Sequence, residues 1–545
     1  MILTPIAHQL LTLQHTFKPT NAKVDFFDFQ TNAKQAIDLF KQAQFGSLLV
    51  IKTETFPEFI ESITGYVAKD LTSPLIVRTE FNRNHLFGYS LYLDKQQRLE
   101  NVEGAIQQAE QGILVLNVKA LLLDITQWDK LKQALLFGCY EPHAMNHIPS
   151  LLANIEAHFK LILVGNREDI ALLAEYDESL YQFAHYTEIE SYFSFNAENR
   201  QMWGDYVQTM AEKWCQRSFL MQALTQFLQA YIRESEDQSR ISISPTLLKK
   251  HLLGLTNFYA NQTAFAQVAS YFSYLEQQSA VLNKYTLQDM LTNQLYIDTA
   301  GELIGQINAL SVIEFDGIPY AFGEPLRISC NVQYGDGEIT DIERKVELGG
   351  NIHSKGIIIA QSCLANLLAF PTQLPFSASL AFEQSYGEVD GDSSSLAILC
   401  VLISALAKLP LPQSIAVTGS IDQFGNVLSV GGVNQKIEGF FNLCKARQLT
   451  GKQGVIIPAT CLSHLSLTSD VINAIKAKQF HIWSVKNIFE AVWILLEHHF
   501  YDEDQTTAND KPTIFNLIHQ QLEQEQENSA SGSFFAKIYQ LFTKN

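Results

Sequence analysis

What the chain has little of narrows its class. Its seven cysteines, Cys139, Cys215, Cys330, Cys363, Cys400, Cys444 and Cys461, are odd in number and lie far apart, with no C-x-x-C pair. That pattern argues against a disulfide framework or a cysteine zinc site and suits reduced thiols. Basic residues are scarce, with 38 Lys plus Arg against 57 Asp plus Glu. The resulting negative field repels phosphate backbones and anionic lipid surfaces, so neither nucleic acid nor a membrane is an expected partner. The first residues show no basic segment ahead of a clean apolar run and no small-residue cleavage site, so no secretory signal is read and the cytoplasm is the expected compartment. Long apolar runs are missing too. The longest, Leu396 to Ala407, is interrupted by a serine and falls short of the roughly 18 to 20 residues a membrane span needs, so it reads as a buried core helix.

What is present is a long chain, 545 residues with 47% apolar content. That is too hydrophobic for extensive disorder and too long for one ordinary core, so two or three folded units are expected. The first part alternates strand-like runs with helical patterns: GSLLVIK from Gly46 to Lys52, Leu75 to Arg78, GILVLN from Gly112 to Asn117, and Leu161 to Val164. This alternation predicts a parallel α/β sheet. Amphipathic spacing in SFLMQALTQFLQAYI and TAFAQVASYFSYLEQQ predicts a helical region over about 200–290. A second mixed region begins near 298 and closes with a strand and helix in IWSVKNIFEAVWILLEHHF. The polar, aperiodic stretch 502–511 marks its expected end near 500. Two short helices are expected beyond it, in IFNLIHQQLEQEQ and FFAKIYQLFTKN, and no internal repeat is visible.

Two segments of the second half carry chemistry. GEVDGDSSSLAILCVLISALAKL sets a Gly/Asp turn and three serines directly before a long apolar helix. An Asp or Ser there can simply cap the helix. The same geometry suits catalysis, because helix N-terminal N–H groups stabilise an oxyanion. VTGSIDQFGNVLSVGGVNQKIEGFFNLCKARQ follows, with Lys436 near the start of an amphipathic helix. Alone, that lysine would read as a surface residue.

Together the two segments resemble the proteolytic domain of the Lon family, and more closely its B-type branch, whose nucleophile motif reads DGDSAS or EGDSAS. Here the motif is Asp390-Gly391-Asp392-Ser393-Ser394-Ser395, departing at Ser394. The resemblance assigns Ser393 as nucleophile. The family's GG-hydrophobic-x-x-K segment matches Gly431-Gly432-Val433-Asn434-Gln435-Lys436, which makes Lys436 the general base, 43 residues after the serine as in the family. Thr418, in VTGSI, aligns with the threonine that orients the lysine. Glu314, in GQINALSVIEFDG, and Asp390 align with acidic residues near the site and are supporting assignments. The matching stretch SASLAFEQSYG lacks the histidines of the A-type branch. The block is more similar still to the enterobacterial Lon-homologue group, whose members lack a working ATPase motif.

This resemblance implies a serine endopeptidase. A serine hydroxyl needs a base within hydrogen-bond reach, and a lysine serves only when burial lowers its pKa from about 10.4. No metal or organic cofactor is required for that step.

Lon proteases couple this domain to an AAA+ motor, and the first 290 residues are laid out like one. The phosphate-binding loop G-x-x-x-x-G-K-[ST] is absent, however: GSLLVIK runs into TETFPEFIESI without a glycine cradle, and Lys52-Thr53 follows Val50-Ile51. Asn117 and Val118 stand where an Asp-Glu pair should hold magnesium, and Asn166 resembles a sensor asparagine. ATP and magnesium would follow from family analogy, but their loop motifs are missing. The expected fold is an α/β AAA-like domain with a helical subdomain, followed by an α+β Lon-type proteolytic domain. The expected boundaries are 1–197, 198–297 and 298–500, with a tail over 501–545. Polypeptides are the expected substrates and a homo-hexamer the expected assembly. The alternatives are an ATP-dependent Lon-type protease and a non-catalytic scaffold.

Overall fold

The computed structural model describes residues 4–13, 15–93, 98–146, 148, 153–370, 374–385, 389–501 and 511–525. The described residues fall into two compact units, which interleave along the chain. One holds those of 17–224 and 240–267, the other those of 1–16, 225–239 and 268–545.

In the first unit, strands β1 (Leu48–Lys52), β2 (Leu75–Arg78), β3 (Ile113–Asn117), β4 (Lys160–Gly165) and β5 (Ala184–Glu188) form a sheet in the order β2-β3-β4-β1-β5. Every pairing in it is parallel. The residues of β1 and β3 are buried on both faces up to their last positions. That explains why they read as continuous apolar runs and not as alternating ones. Helices α1 (Pro57–Ala68), α2 (Val118–Leu122) and α3 (Arg167–Tyr176) follow β1, β3 and β4. The strand β5, AHYTE, was not expected from the sequence: it pairs on one side only, with β1, and exposes most of its residues, so it carries no apolar run.

The helical stretch expected as one subdomain over 198–297 is divided between the units. Helix α4 (Met221–Ser235) begins in one, and from Thr225 onward it belongs with the other. Arg233 forms a paired fork on Glu438, 2.7 and 2.6 Å, and Gln238 N–H donates to the Ser463 carbonyl. Periodicity reveals a helix but not which core receives it. In the second predicted helical run only Ala269–Ser279 is helical; Phe265 instead makes an isolated bridge with Phe219.

The second unit is built on a mixed sheet. Its strands are β6 (Gln306–Ile313), β7 (Phe322–Gly337), β8 (Ile339–Asp341), β9 (Leu374–Glu383), β10 (Ile415–Val417), β11 (Gln453–Pro458) and β12 (Phe480–Val485), ordered β8-β9-β7-β6-β10-β11-β12. The long β6, β7 and β9 pair antiparallel, whereas β6, β10, β11 and β12 run parallel. Burial alternates strictly along β9, whose Leu374, Phe376, Ala378, Leu380 and Phe382 face the core. Its helices include α5 (Ile342–Lys345), α6 (Asn351–Leu367), α7 (Ser395–Ala407), α8 (Val433–Ala446) and α9 (Ile488–Leu496). The run expected to be a core helix is α7, buried all round as its uniform apolarity requires.

This unit continues past the expected end at 500. Residues 514–525 are helical, and Ile514, Ile518 and Leu522 are buried in the same core as α6 and α7. The polar stretch at 502–511 misleads as an end marker because a chain can leave a core and return to it. The last predicted helix, FFAKIYQLFTKN, lies outside the described residues. Among the described residues no helix is long and apolar enough to cross a membrane.

Candidate active site

Residues 389–396 turn from the region after β9 into α7, and the turn is strapped to the sheet by backbone hydrogen bonds. Gly419 N–H donates to the Ser393 carbonyl at 2.8 Å, Leu396 N–H to the Gly419 carbonyl at 3.1 Å, and Thr418 N–H to Ile456 in β11 at 3.0 Å. Side chains reinforce the strap: Ser420 Oγ donates to Asp392 Oδ2 at 2.9 Å, and Ile421 N–H donates to Ser395 Oγ at 3.0 Å. Ser393 therefore sits half-buried on a rigid corner next to the N-terminus of α7.

Lys436 reaches this corner from the first turn of α8. The N-cap of that helix is Gly432, in the left-handed region at φ +62°, where a Cβ would come within 2.4 Å of Val312 Cγ2 on β6. Glycine is needed both for the backbone conformation and for the approach of the helix to β6. The lysine is only 4% exposed, and its Nζ lies 3.0 Å from Ser393 Oγ and 3.4 Å from Thr418 Oγ1. Thr418, fully buried, also lies 3.4 Å from the Ser393 carbonyl through the same hydroxyl. Burial lowers the Lys436 pKa to about 8, against the raising influence of Cys461, Asp392 and Glu236. Chemically, this is a hydroxyl beside an amine that can be neutral near physiological pH.

Of the residues expected from the sequence, Ser393, Thr418 and Lys436 come together. Asp390 does not join them. Its Oδ1 accepts the N–H groups of Ile352 and His353 at 3.1 and 3.2 Å, capping α6 from outside the helix. Gly350 makes room for this, since a Cβ there would lie 2.4 Å from that oxygen. Glu314 is exposed just beyond β6 and makes no hydrogen bond to the three. Three anionic or polarisable neighbours of the lysine went unread. Asp392 could have been found beside the serine. Glu236, which accepts a hydrogen bond from Gln435 at 2.6 Å, and Cys461 are distant in sequence and gave no local signal.

In the first unit, the place of a phosphate loop is taken by residues 53–56, which run from β1 into α1 at Pro57. Lys52 Nζ is paired with Glu188 Oε2 at 3.1 Å. Asn117 Oδ1 accepts the N–H of Lys119 and Asn166 Oδ1 that of Asp169, so each caps the helix that follows its strand.

Comparison with known proteins supplies the family. A model of the LonB-like AAA domain matches residues 72–190, and one of the Lon protease (S16) C-terminal proteolytic domain matches 387–497. A Lon protease homolog of Haemophilus influenzae is 43% identical over 548 residues, covering 92% of this chain and 90% of that protein. The chain belongs to the Lon protease family. A Lon protease homolog of Escherichia coli is 42% identical over 427 residues, 77% of this chain and 72% of the relative. An archaeal Lon protease of Methanocaldococcus jannaschii is 31% identical over 204 residues, 36% of this chain and 28% of the relative. The architecture is thus an AAA-like domain joined to a Lon proteolytic domain, and the chain is a Lon-type serine peptidase acting on polypeptides.

Proposed function

We propose that this Lon-type peptidase cleaves unfolded or flexible polypeptides with Ser393 as nucleophile and Lys436 as its base, without ATP hydrolysis of its own. The observation that carries the reading is the 3.0 Å approach of a buried lysine, its pKa lowered to about 8, to the serine hydroxyl. Neutral Lys436 takes the hydroxyl proton as Ser393 Oγ attacks the peptide carbonyl. It then returns that proton to the leaving amine, and water hydrolyses the acyl-enzyme by the same route. Thr418 holds the ammonium form between its own hydroxyl and the serine. The backbone N–H groups of the turn around Ser393 are the natural donors to the oxyanion. No metal or organic cofactor enters these steps.

A nucleotide's phosphates need converging N–H groups and a free lysine, whereas Lys52 is paired with Glu188 and the segment after β1 has no glycine. The AAA-like domain then serves assembly, in a cytoplasmic ring of six by family analogy, and the ring restricts access to flexible chains.

The test is cleavage of casein by the parent and by Ser393→Ala, with and without Mg-ATP, alongside a titration with a fluorescent ATP analogue. Cleavage by the parent without ATP, lost in the variant, supports the reading. Tight nucleotide binding with ATP-dependent cleavage would replace it by the motor-driven alternative. A parent inactive in both conditions would favour a protein-binding scaffold.

A further inference from the structure

Close to the nucleophile turn lies a polar cluster that the proteolytic mechanism does not use. Asp341 ends β8, Glu343 lies in α5 and His353 in the first turn of α6. All three are buried, at 9%, 5% and 1% exposure. Each carboxylate spends one oxygen on backbone: Asp341 Oδ1 accepts Glu343 N–H at 3.1 Å, and Glu343 Oε1 accepts Phe382 N–H at 2.8 Å. Among the described residues the second oxygens, Asp341 Oδ2 and Glu343 Oε2, have no hydrogen-bond partner, and neither has either ring nitrogen of His353. One donor atom from each residue lies within 4.8 Å of the others.

Buried polar groups without partners are costly, and two carboxylates meeting at a buried point are stabilised by a cation between them. We propose that Asp341, Glu343 and His353 bind a divalent first-row transition metal ion, with zinc as the probe. The donor set is two carboxylate oxygens and one imidazole nitrogen, which selects zinc and its neighbours over calcium or magnesium. The 3.4 Å between His353 Nε2 and Asp341 Oδ2 lacks hydrogen-bond alignment. It nevertheless matches the edge of a tetrahedron with metal bonds of about 2.0–2.1 Å. Backbone hydrogen bonds on the far oxygens of both carboxylates hold them in place, as outer partners do in metal sites.

The position gives the ion a task. It would join the β8–α5 corner to the N-terminus of α6, the same helix end that Asp390 caps from three residues before Ser393. Gly356, one turn further along α6, faces Asp392 so closely that a Cβ would lie 3.2 Å from its Cα. The metal would thereby stiffen the support on which the nucleophile turn rests, without touching the substrate.

The full-length protein would be stripped with EDTA, loaded with zinc chloride and desalted. The metal would be counted by mass spectrometry for the parent, His353→Gln and Glu343→Gln, and its surroundings read by X-ray absorption at the zinc edge. We expect about one zinc per chain in the parent, a first shell of N and O donors near 2.0–2.1 Å with imidazole scattering, and a rise in melting temperature over the stripped form. Both variants should lose the ion and the shift. A parent that retains no zinc would overturn the proposal in favour of a plain Asp341–His353 ion pair. A sulfur shell near 2.3 Å, or zinc retained equally by folded variants, would overturn it as well. The absorption spectrum of the parent decides the matter even if a variant fails to fold.

Discussion

Lys436 Nζ lies 3.0 Å from Ser393 Oγ although 43 residues separate the two. The contact is made because the backbone strap at 418–419 and the first turn of α8 deliver both groups to one corner of the mixed sheet. A lysine so placed is penalised when charged and useful when neutral, and its consequences are measurable.

The first consequence is a pH limb. The base must be neutral, so kcat/KM for casein should rise with pH and level off above about 8, the lowered pKa of Lys436. A profile flat from pH 6 to 10 would remove the lysine from the mechanism.

The same shift is a stability statement. The folded pKa of about 8 lies below the unfolded value, so folding is penalised while the solution is below pH 8 and the penalty fades as pH rises toward 10.4. Lys436→Met should abolish cleavage yet raise stability at pH 7 by up to roughly 3 kcal/mol, with the gain gone near pH 10. Urea titrations at the two pH values check both the sign and the window.

Thr418→Val keeps the shape but removes the hydroxyl 3.4 Å from Lys436 Nζ. We expect kcat to fall on the order of 10- to 100-fold with KM little changed, because the base is misplaced and the substrate is not. A fall in KM-linked binding alone would place the threonine elsewhere in the cycle.

Asp390 distinguishes a cap from a catalytic carboxylate. Asp390→Asn preserves an acceptor for the N–H groups of Ile352 and His353 and should retain most activity, whereas Asp390→Ala should cost about 1 kcal/mol of stability. Loss of activity in the asparagine variant at unchanged stability would restore a role for the charge.

Arg233 and Glu438 form a fork in which the glutamate is 9% exposed and also accepts Thr468 N–H at 3.0 Å. Arg233→Met leaves that carboxylate buried without its cation and should destabilise the protein by about 3–5 kcal/mol. Chemical denaturation measures it, and a change under 1 kcal/mol would mean that the glutamate reaches solvent.

The sequence by itself determined four of the five strands of the parallel sheet, the core helix α7, and the motifs that carry Ser393, Thr418 and Lys436. Each of these is written locally, as an apolar run of strand length, a uniformly apolar helix, or a short motif in fixed order. Tertiary structure alone decided the rest. Whether α4 serves one core or the other depends on the partner that meets Arg233, and Glu438 lies about two hundred residues away. Asp390 reads as a supporting residue of the site in its motif and becomes a cap only when α6 arrives beneath it. Asp341, Glu343 and His353 carry no spacing that marks a site; folding places donor atoms of all three at one buried point. Local patterns report what a segment prefers, and burial and charge pairing report what it meets, which the chain settles only when it closes on itself.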